Sequence, residues 1–363
     1  MTRQDLLAQL DDADRMRALD PSGMYDRIRG LPEQMQDALA IMRRREVRRE
    51  GFHDVTEVVI VGMGGSAIGG DLVRTLTHLQ LQVPLQVCRH YRLPQYVDER
   101  TLVIASSYSG NTEETLSAFA EALDRRCMFA AITTGGKLGE LARVNGIPTV
   151  RIPPGLQPRA AIGYSFVPLL MLLEEAGLVE GMADQVSRTT ANLVSLRDRY
   201  DRSVPAADNP AKQLAAQIHG RVAIVYGGPE LTDVVAVRWK GQICENGKNM
   251  AFANQYTEFN HNELVAWSRT IAPHRDHLAV IQLKDAGDHP KVSRRREIVG
   301  SIIEGLGVPV VEVASSGTVP LERMFSLIQM GDFVSYYLAV LNEVDPTPVD
   351  AIETLKRKLA ESG

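Results

Sequence analysis

The sequence TLVIASSYSGNTEETLSAFAEAL, residues 101–123, contains a strand, a turn and the start of a helix in one segment. The apolar run at residues 102–105 is typical of a strand buried in a parallel sheet. Apolar side chains from Leu116 to Leu123 then recur at helical spacing. The segment therefore predicts one strand–helix unit of an α/β fold.

The turn between this strand and helix is dense in hydroxyl groups, which belong to Ser106, Ser107, Ser109 and Thr112. A strand that enters a helix through such a turn points free backbone N–H groups at a ligand, and hydroxyls add donors without adding charge. The turn predicts a pocket for a phosphate monoester. The alternative is a capped helix whose hydroxyls serve turn chemistry alone. No Gly-Lys-Ser/Thr sequence ends the loop, which argues against a nucleotide-binding P-loop.

A glycine-rich loop, GMGGSAIGGD at residues 62–71, follows an apolar run at residues 58–61. It fits a dinucleotide fingerprint only loosely, because no acidic residue ends the next predicted strand at residues 85–88. Gly65 and Ser66 instead allow a small ligand to approach the backbone at a helix N-terminus. Loops that follow successive parallel strands open at one carboxyl edge, so we expect both loops to serve one ligand.

Length and composition limit the class of protein. The 363 residues suffice for two domains, and 44% hydrophobic with 23% charged residues is typical of a soluble globular protein. A net charge of −5 gives no general attraction to nucleic acid or membrane. Three cysteines favour a reducing compartment, the N-terminus does not resemble a signal peptide, and no apolar run approaches transmembrane length. We therefore expect a cytoplasmic protein without nucleic-acid or membrane partners.

Alternating strand and helix patterns continue through both halves of the chain and predict two doubly wound α/β domains with parallel sheets flanked by helices. Residues 1–50 show helical spacing, and a polar stretch at residues 203–210 resembles a linker. We therefore expect a first domain at residues 1–202, with the N-terminal helices and the phosphate site, and a second at residues 203–363 with a C-terminal helix. The second half has Gly227-Gly228 after its first strand but no hydroxyl-rich loop.

Three further residues are candidates for chemistry. Arg159 follows a rigid segment with three prolines, which could hold its charge at a fixed point, although a surface arginine is the commoner case. Glu245 ends a predicted helix, and His261 follows sixteen residues later. A glutamate and a histidine suit proton transfers on a sugar, but this spacing alone is a weak signal. The apolar residues around His261 fit either a protein core or a dimer interface.

The run SYSGNTEE at residues 107–114 closely resembles the phosphosugar loop of sugar isomerase (SIS) domains. Together with residues 244–263, it makes most of the chain resemble the bifunctional phosphoglucose/phosphomannose isomerase family. The resemblance implies two SIS-type, flavodoxin-like domains and an aldose–ketose isomerase of glycolysis and gluconeogenesis. Its substrates would be glucose 6-phosphate, fructose 6-phosphate and mannose 6-phosphate, interconverted by proton transfer through a cis-enediol.

The resemblance also implies roles for individual residues. Glu245 would move a proton between C1 and C2, His261 would reach in from the partner subunit of a homodimer to assist ring opening, and Arg159 would stabilise the enediolate. The active site would thus lie at the subunit interface. A C-terminal lysine would help to open the ring, and Lys356 fits the motif better than Lys358. The phosphate would be held by Gly65, Ser66, Ser107, Ser109 and Thr112.

Two alternatives remain open at this point. The same fold serves other phosphosugar isomerases, and it also serves non-catalytic phosphosugar-binding regulators. No helix-turn-helix pattern precedes the first domain, which weakens the regulator interpretation. The sequence contains no compact cluster of His, Cys and Glu with metal-ligand spacing, so we expect neither a metal nor a cofactor.

Overall fold

The computed structural model describes residues 2–44 and 52–362. The strands are β1 (Glu57–Val61), β2 (Leu85–Cys88), β3 (Thr101–Ser106), β4 (Met128–Thr133), β5 (Thr149–Arg151), β6 (Val222–Gly227), β7 (Ala251–Gln255), β8 (Leu278–Lys284) and β9 (Val310–Ala314). The α-helices are α1 (Arg3–Gln9), α2 (Ala13–Leu19), α3 (Met24–Arg29), α4 (Leu31–Arg44), α5 (Gly64–Thr77), α6 (Glu113–Asp124), α7 (Gly136–Val144), α8 (Ile162–Glu175), α9 (Met182–Tyr200), α10 (Pro210–Ile218), α11 (Thr232–Glu245), α12 (Pro290–Gly305), α13 (Pro320–Leu341) and α14 (Asp350–Ser362). Short 3₁₀ helices cover Pro158–Ala160, Phe259–His261, Glu263–Ala266, Arg269–Ile271 and Arg275–His277.

The chain forms two compact units, which we name by their sheets. The first-sheet unit comprises Arg29–Ser195 and Ser316–Ser326, and the second-sheet unit comprises Met1–Ile28, Leu196–Ser315 and Leu327–Gly363. The predicted α/β class, with parallel sheets flanked by helices, is confirmed. Helices predicted over residues 1–50 are present up to Arg44, and residues 45–50 lie outside the described residues.

The first sheet has the strand order β2-β1-β3-β4-β5, and every neighbouring pair is parallel. Its central strands are apolar runs buried on both faces, as the covering helices require, and Val59, Ile60, Val103 and Ile104 have no exposed surface. Each such side chain contributes about 1.5–3 kcal/mol when it is buried. This flavodoxin-like order reverses between β1 and β3, which is where such sheets bind ligands.

The second sheet has the order β7-β6-β8-β9 and is also parallel, with its reversal between β6 and β8. The sequence did not predict β7, because its residues AFANQ are not a continuous apolar run. Strand β7 lies at the edge of the sheet and pairs with a neighbour, β6, on one side only. Its side chains are therefore less buried than those of a central strand, and a mixed sequence is tolerated there. Tyr256, Phe259 and Trp267 are buried in the core of this unit, whereas Phe252 is exposed.

Helices α1 and α2, and α3 up to Ile28, belong to the second-sheet unit, which differs from the expected division at residue 202. A buried lysine accounts for part of this attachment. The Lys212 ammonium donates to Asp11 Oδ1 at 2.9 Å and to the carbonyl oxygens of Arg202 and Val204 at 2.9 and 2.8 Å. All three of its donors are therefore satisfied although the side chain has no exposed surface. The Tyr25 hydroxyl likewise accepts from the Arg202 amide at 2.9 Å.

Helix α13 is long and apolar enough to cross a membrane by length and composition, contrary to the expectation that no such run exists. Its apolar window is completely buried inside the protein, as in the core helix of a globular fold. Residues up to Ser326 cluster with the first-sheet unit, and those from Leu327 cluster with the second.

Candidate active site

The glycine-rich turn after β1 lies against two other segments of the first-sheet unit. A Cβ added at Gly62 would lie 2.9 Å from the Ser106 carbonyl oxygen, so this turn packs directly on the end of β3. A Cβ added at Gly65 would lie 2.6 Å from the Pro158 carbonyl oxygen and 3.3 Å from the Arg159 amide nitrogen. Only glycine permits backbones to approach this closely. The predicted residues Gly65 and Ser66 therefore lie beside the backbone of Arg159.

The hydroxyl-rich turn after β3 is organised by its own side chains. Ser107 Oγ and Thr112 Oγ1 are 2.9 Å apart, and Ser107 Oγ also accepts from the Gly110 amide at 3.1 Å. Ser109 Oγ accepts from the Asn111 amide at 3.2 Å. Ser107 is buried and Ser109 is exposed, so the two serines offer donors at different depths.

Two helices begin at this edge without a capping side chain among the described residues. The N-cap of α5 is Met63, whose thioether cannot accept strongly, and the N-cap of α6 is Thr112, whose hydroxyl is paired with Ser107. First-turn N–H groups without a cap, together with the positive end of the helix dipole, form a site for an anion. In the first turn of α6, Glu113 is exposed and Glu114 is half-buried.

The turn after β4 and the first residues of α7 contact the hydroxyl-rich turn and hold it in place. Asn111 Oδ1 accepts from the Lys137 amide at 3.0 Å, and the Gly110 carbonyl accepts from the Leu138 amide at 2.8 Å. Gly110 has φ +70°, and a Cβ there would lie 2.0 Å from the Gly135 carbonyl oxygen. Because such a contact is impossible, only glycine allows the two turns to interlock.

Arg159 lies in the 3₁₀ helix Pro158–Ala160 and is only 5% exposed. The carbonyl of the next residue, Ala160, accepts from Gln34 Nε2 of α4 at 2.9 Å. This low exposure places Arg159 in the interior of the unit, so it is not the surface arginine that is the commoner case. Burial of a guanidinium is costly unless it is paired. Sequence reasoning missed Gln34, and nothing in its local pattern distinguishes it from other helical glutamines.

Glu245 is the last residue of α11 and is half-buried. Polar contacts at a helical spacing fix this helix against α13. Arg238 donates twice to the Asp332 carboxylate, at 2.9 and 2.8 Å, and Gln242 donates to the same carboxylate at 2.8 Å. Next to Glu245, Asn246 Nδ2 donates to Ser335 Oγ at 3.0 Å.

The carboxylate that receives these bonds is completely enclosed. Burial raises the pKa of Asp332, while the Arg238 guanidinium and the Gln242 amide oppose that rise. Sequence reasoning missed this set, although the spacing of four residues from Arg238 to Gln242 to Asn246 was visible. These contacts hold the C-terminal half of α11 against α13, and Glu245 is the last residue of that helix.

His261 is exposed on the short 3₁₀ helix Phe259–His261. The segment that follows is anchored by Glu263, whose carboxylate accepts from the Tyr226 hydroxyl and from Asn254 Nδ2, the latter at 2.7 Å. Trp267 Nε1 donates to the same tyrosine oxygen at 2.9 Å. Burial and the Glu263 carboxylate raise the pKa of Tyr226, so its phenol remains a donor.

Lys356 and Lys358 both lie on α14, where residues 351–359 are exposed. Because both side chains are exposed, burial does not distinguish the two lysines, and the choice of Lys356 stays a prediction. The first-sheet unit thus brings together Gly65, Ser66, the hydroxyl-rich turn and Arg159. Glu245, His261 and Lys356 all belong to the second-sheet unit.

The fold and a family-model match define the class of protein. The structure is similar to tagatose-6-phosphate ketose/aldose isomerase from Escherichia coli, with a TM-score of 0.64 and 15% sequence identity over 90% of this chain and 95% of that one. Residues 207–359 match the family model described as the bacterial phospho-glucose isomerase C-terminal SIS domain. The protein is therefore a two-sheet SIS-domain protein.

Sequence relatives define the family more narrowly. The chain is 47% identical to the bifunctional phosphoglucose/phosphomannose isomerase of Caldicellulosiruptor bescii, over 93% of this chain and 99% of the relative. It is 37% identical to the enzyme of the same name from Aquifex aeolicus, over 83% of this chain and 90% of the relative. The chain belongs to the bifunctional phosphoglucose/phosphomannose isomerase family.

Proposed function

We propose that this protein is an aldose–ketose isomerase that interconverts glucose 6-phosphate, fructose 6-phosphate and mannose 6-phosphate. The observation that carries the proposal is the turn from Ser107 to Thr112 at the uncapped start of α6, which directly follows the end of β3 against which the glycine turn packs. The same glycine turn adjoins the backbone of Arg159. A phosphate monoester matches those neutral donors, and a buried arginine beside it suits an anionic intermediate.

The proposed chemistry is a proton transfer between neighbouring carbons. In the open-chain aldose, the Glu245 carboxylate removes the C2 proton, and the electron pair forms a cis-enediolate as negative charge develops on the C1 oxygen. The Arg159 guanidinium stabilises that charge. The hydroxyl proton on the C2 oxygen then moves to the C1 oxygen, Glu245 returns the carbon-bound proton to C1, and the C2 oxygen becomes the carbonyl of the ketose. Glucose 6-phosphate and mannose 6-phosphate differ only at C2, so both pass through the same enediol.

Ring opening is assigned to His261 and Lys356, and phosphate binding to Gly65, Ser66, Ser107, Ser109 and Thr112. We propose a homodimer in which His261 serves the active site of the partner subunit. Its exposure within one chain supports this assignment, as do the exposed apolar residues Phe252, Leu355 and Leu359 of the same unit. A cytoplasmic enzyme of glycolysis and gluconeogenesis, with no nucleic-acid or membrane partner, is the corresponding cellular role.

The decisive experiment separates an enzyme from a binding protein. Wild-type protein in deuterated water should incorporate deuterium at C2 of glucose 6-phosphate, and Glu245→Gln should abolish this exchange while substrate still protects the protein against thermal unfolding. Binding without exchange by the wild type would favour the regulator. Coupled assays with glucose 6-phosphate and mannose 6-phosphate on one preparation then test both activities. Turnover of neither sugar would refute the assignment and favour another phosphosugar isomerase.

A further inference from the structure

Tyr108 is the one large side chain in the hydroxyl-rich turn, and its hydroxyl makes two hydrogen bonds outside that turn. The hydroxyl donates to the Pro153 carbonyl at 2.9 Å and accepts from the Leu156 amide at 2.9 Å. Both partners lie in the proline segment that leads to Arg159. A single phenol oxygen thus closes a loop of four residues by satisfying one backbone acceptor and one backbone donor.

The backbone of Tyr108 is itself fixed. Its carbonyl accepts from the Thr134 amide at 3.1 Å and from Thr134 Oγ1 at 2.8 Å, and the preceding Ser107 amide donates to the Ile132 carbonyl at 3.0 Å. The tyrosine is therefore anchored to β4 and the turn after it, so that its half-buried ring projects from a rigid base.

The proline segment depends on such an outside support. Gly155 has φ +98°, and the segment lies between β5 and the 3₁₀ helix of Arg159. Three contacts fix its course: the Tyr108 hydroxyl at Pro153 and Leu156, the Gly65 backbone at Pro158, and the Gln34 amide at Ala160. Tyr108 supplies the contact that comes from the same turn as Ser107 and Thr112.

We propose that Tyr108 is a positioning residue that sets the distance between the phosphate-binding turn and the Arg159 guanidinium. This inference rests on the proposed function, in which the turn holds the phosphate on C6 and Arg159 stabilises charge at C1 and C2. The open-chain sugar is flexible, so the distance between the two protein groups selects the conformation in which it is bound. A rigid link between the two protein groups therefore converts phosphate binding into correct placement of the charge that stabilises the enediolate.

A positioning role and a merely structural role differ in what Tyr108→Phe changes. The variant keeps the ring and removes only the hydroxyl, so the phosphate-binding turn stays in place while the proline segment loses two bonds. We expect kcat to fall about 10-fold and KM for glucose 6-phosphate to change by less than about 2-fold, because the loss is confined to the transition state.

Two phosphorylated inhibitors make the test independent of turnover. Glucitol 6-phosphate has the phosphate but no enediolate-like group, and its affinity should stay unchanged in Tyr108→Phe. A five-carbon phosphosugar hydroxamate, whose planar oxygens resemble the enediolate, should bind about 10-fold more weakly. Tyr25→Phe is the matched control, since its hydroxyl also accepts from a backbone amide but in the second-sheet unit. It should change neither affinity.

The outcomes separate the two levels of the argument. A wild-type protein that turns over no hexose 6-phosphate would refute the proposed function. An active wild type with an unchanged kcat and hydroxamate affinity in Tyr108→Phe would overturn the positioning role alone, as would an equal loss of affinity for both inhibitors.

If Tyr108→Phe does not fold, trifluorotyrosine at position 108 replaces it. Its phenol ionises at lower pH and then cannot donate to Pro153, so kcat should gain an alkaline limb that the wild type lacks. Absence of that limb, with the fluorophenol shown to ionise in the folded protein, would also overturn the role.

Discussion

Gly65→Ala should damage the protein through one identifiable contact. The new Cβ would lie 2.6 Å from the Pro158 carbonyl oxygen and 2.8 Å from its carbon, both backbone atoms. Ordinary contact begins at 3.4 Å, so either α5 or the segment that carries Arg159 must move by about 0.8 Å. Overpacking of this kind costs roughly 1–3 kcal/mol.

The expected results follow from this displacement. A loss of 1–3 kcal/mol should lower Tm by roughly 2–12 °C for units of this size. A misplacement approaching 1 Å at a catalytic group costs about 100-fold, so kcat should fall by about that factor. Thermal unfolding and a coupled assay on one preparation measure both quantities.

Gly139→Ala is the matched control in the same unit. Its added Cβ would lie 3.3 Å from Nη1 of Arg151, which is the end of a long side chain and no backbone atom, although this group also donates to the Thr134 carbonyl at 3.0 Å. Alanine in helix α7 should be neutral or stabilising by up to about 1 kcal/mol, with kcat unchanged. If Gly65→Ala retained the Tm and kcat of the wild type, the close contact between α5 and the Arg159 segment would be refuted.

Three further predictions address the phosphate, the dimer and the buried ion pair. Ser107→Ala with Ser109→Ala removes donors worth about 0.5–1.5 kcal/mol each, and up to roughly 3 with a charged partner, so KM should rise much more than kcat falls; equal turnover of unphosphorylated glucose by the wild type would contradict the phosphate pocket. Glu245→Gln and His261→Ala should each be nearly inactive, and after subunit exchange their mixture should recover about a quarter of wild-type activity, because half of randomly paired dimers are mixed and each has one intact site; no recovery despite exchange shown by native mass spectrometry would mean that His261 acts within its own chain. Arg238→Met leaves the Asp332 carboxylate buried without its guanidinium and should cost about 3–5 kcal/mol in urea unfolding, whereas Glu343→Gln breaks an exposed pair with Arg15 and should cost under about 1 kcal/mol; equal effects would refute the distinction.

The sequence predicted those features that depend on local patterns. Apolar runs located β1 and β3, because a parallel strand buried on both faces must be apolar throughout. Hydroxyls between a strand and a helix located the turn from Ser107 to Thr112, whose binding of phosphate stays a prediction. Strand β7 was missed because an edge strand carries no such requirement.

Features that depend on contacts between distant segments could not be predicted. The attachment of α1 through Asp11 to the buried Lys212 joins residues whose separate patterns are those of an exposed aspartate and a solvated lysine. The contact of Gly65 with Pro158 is similar, since each residue alone indicates only a turn. Tyr108 was visible within its motif, but its role depends on Pro153 and Leu156, which no spacing relates to it.

The second sheet has the same reversal of strand order as the first but uses its edge differently. In the turn after β6, the Gly228 N–H is already bonded within the protein, since it donates to Thr232 Oγ1 at 2.6 Å. After β8, Asp288 Oδ2 accepts from the Asp285 amide at 3.1 Å and from Arg296 Nη1 at 2.5 Å. A carboxylate of the protein therefore occupies donors of the kind that an anionic ligand would use.

This difference makes the first sheet the better candidate for the proposed phosphate site. Burial raises the pKa of Asp288, and the Arg296 guanidinium opposes that rise, so that the acid and the base are held as a closed pair. A phosphate at that edge would meet Asp285 and Asp288 and would have to displace both from their bonds. At the first sheet, Ser107 and Thr112 are neutral and α6 begins without a capping side chain among the described residues, so a dianion would meet neutral donors in the turn, and the nearby carboxylates of Glu113 and Glu114 belong to the first turn of α6. Repetition of the strand order thus preserves the scaffold, while the side chains after the strands determine which edge can bind an anion.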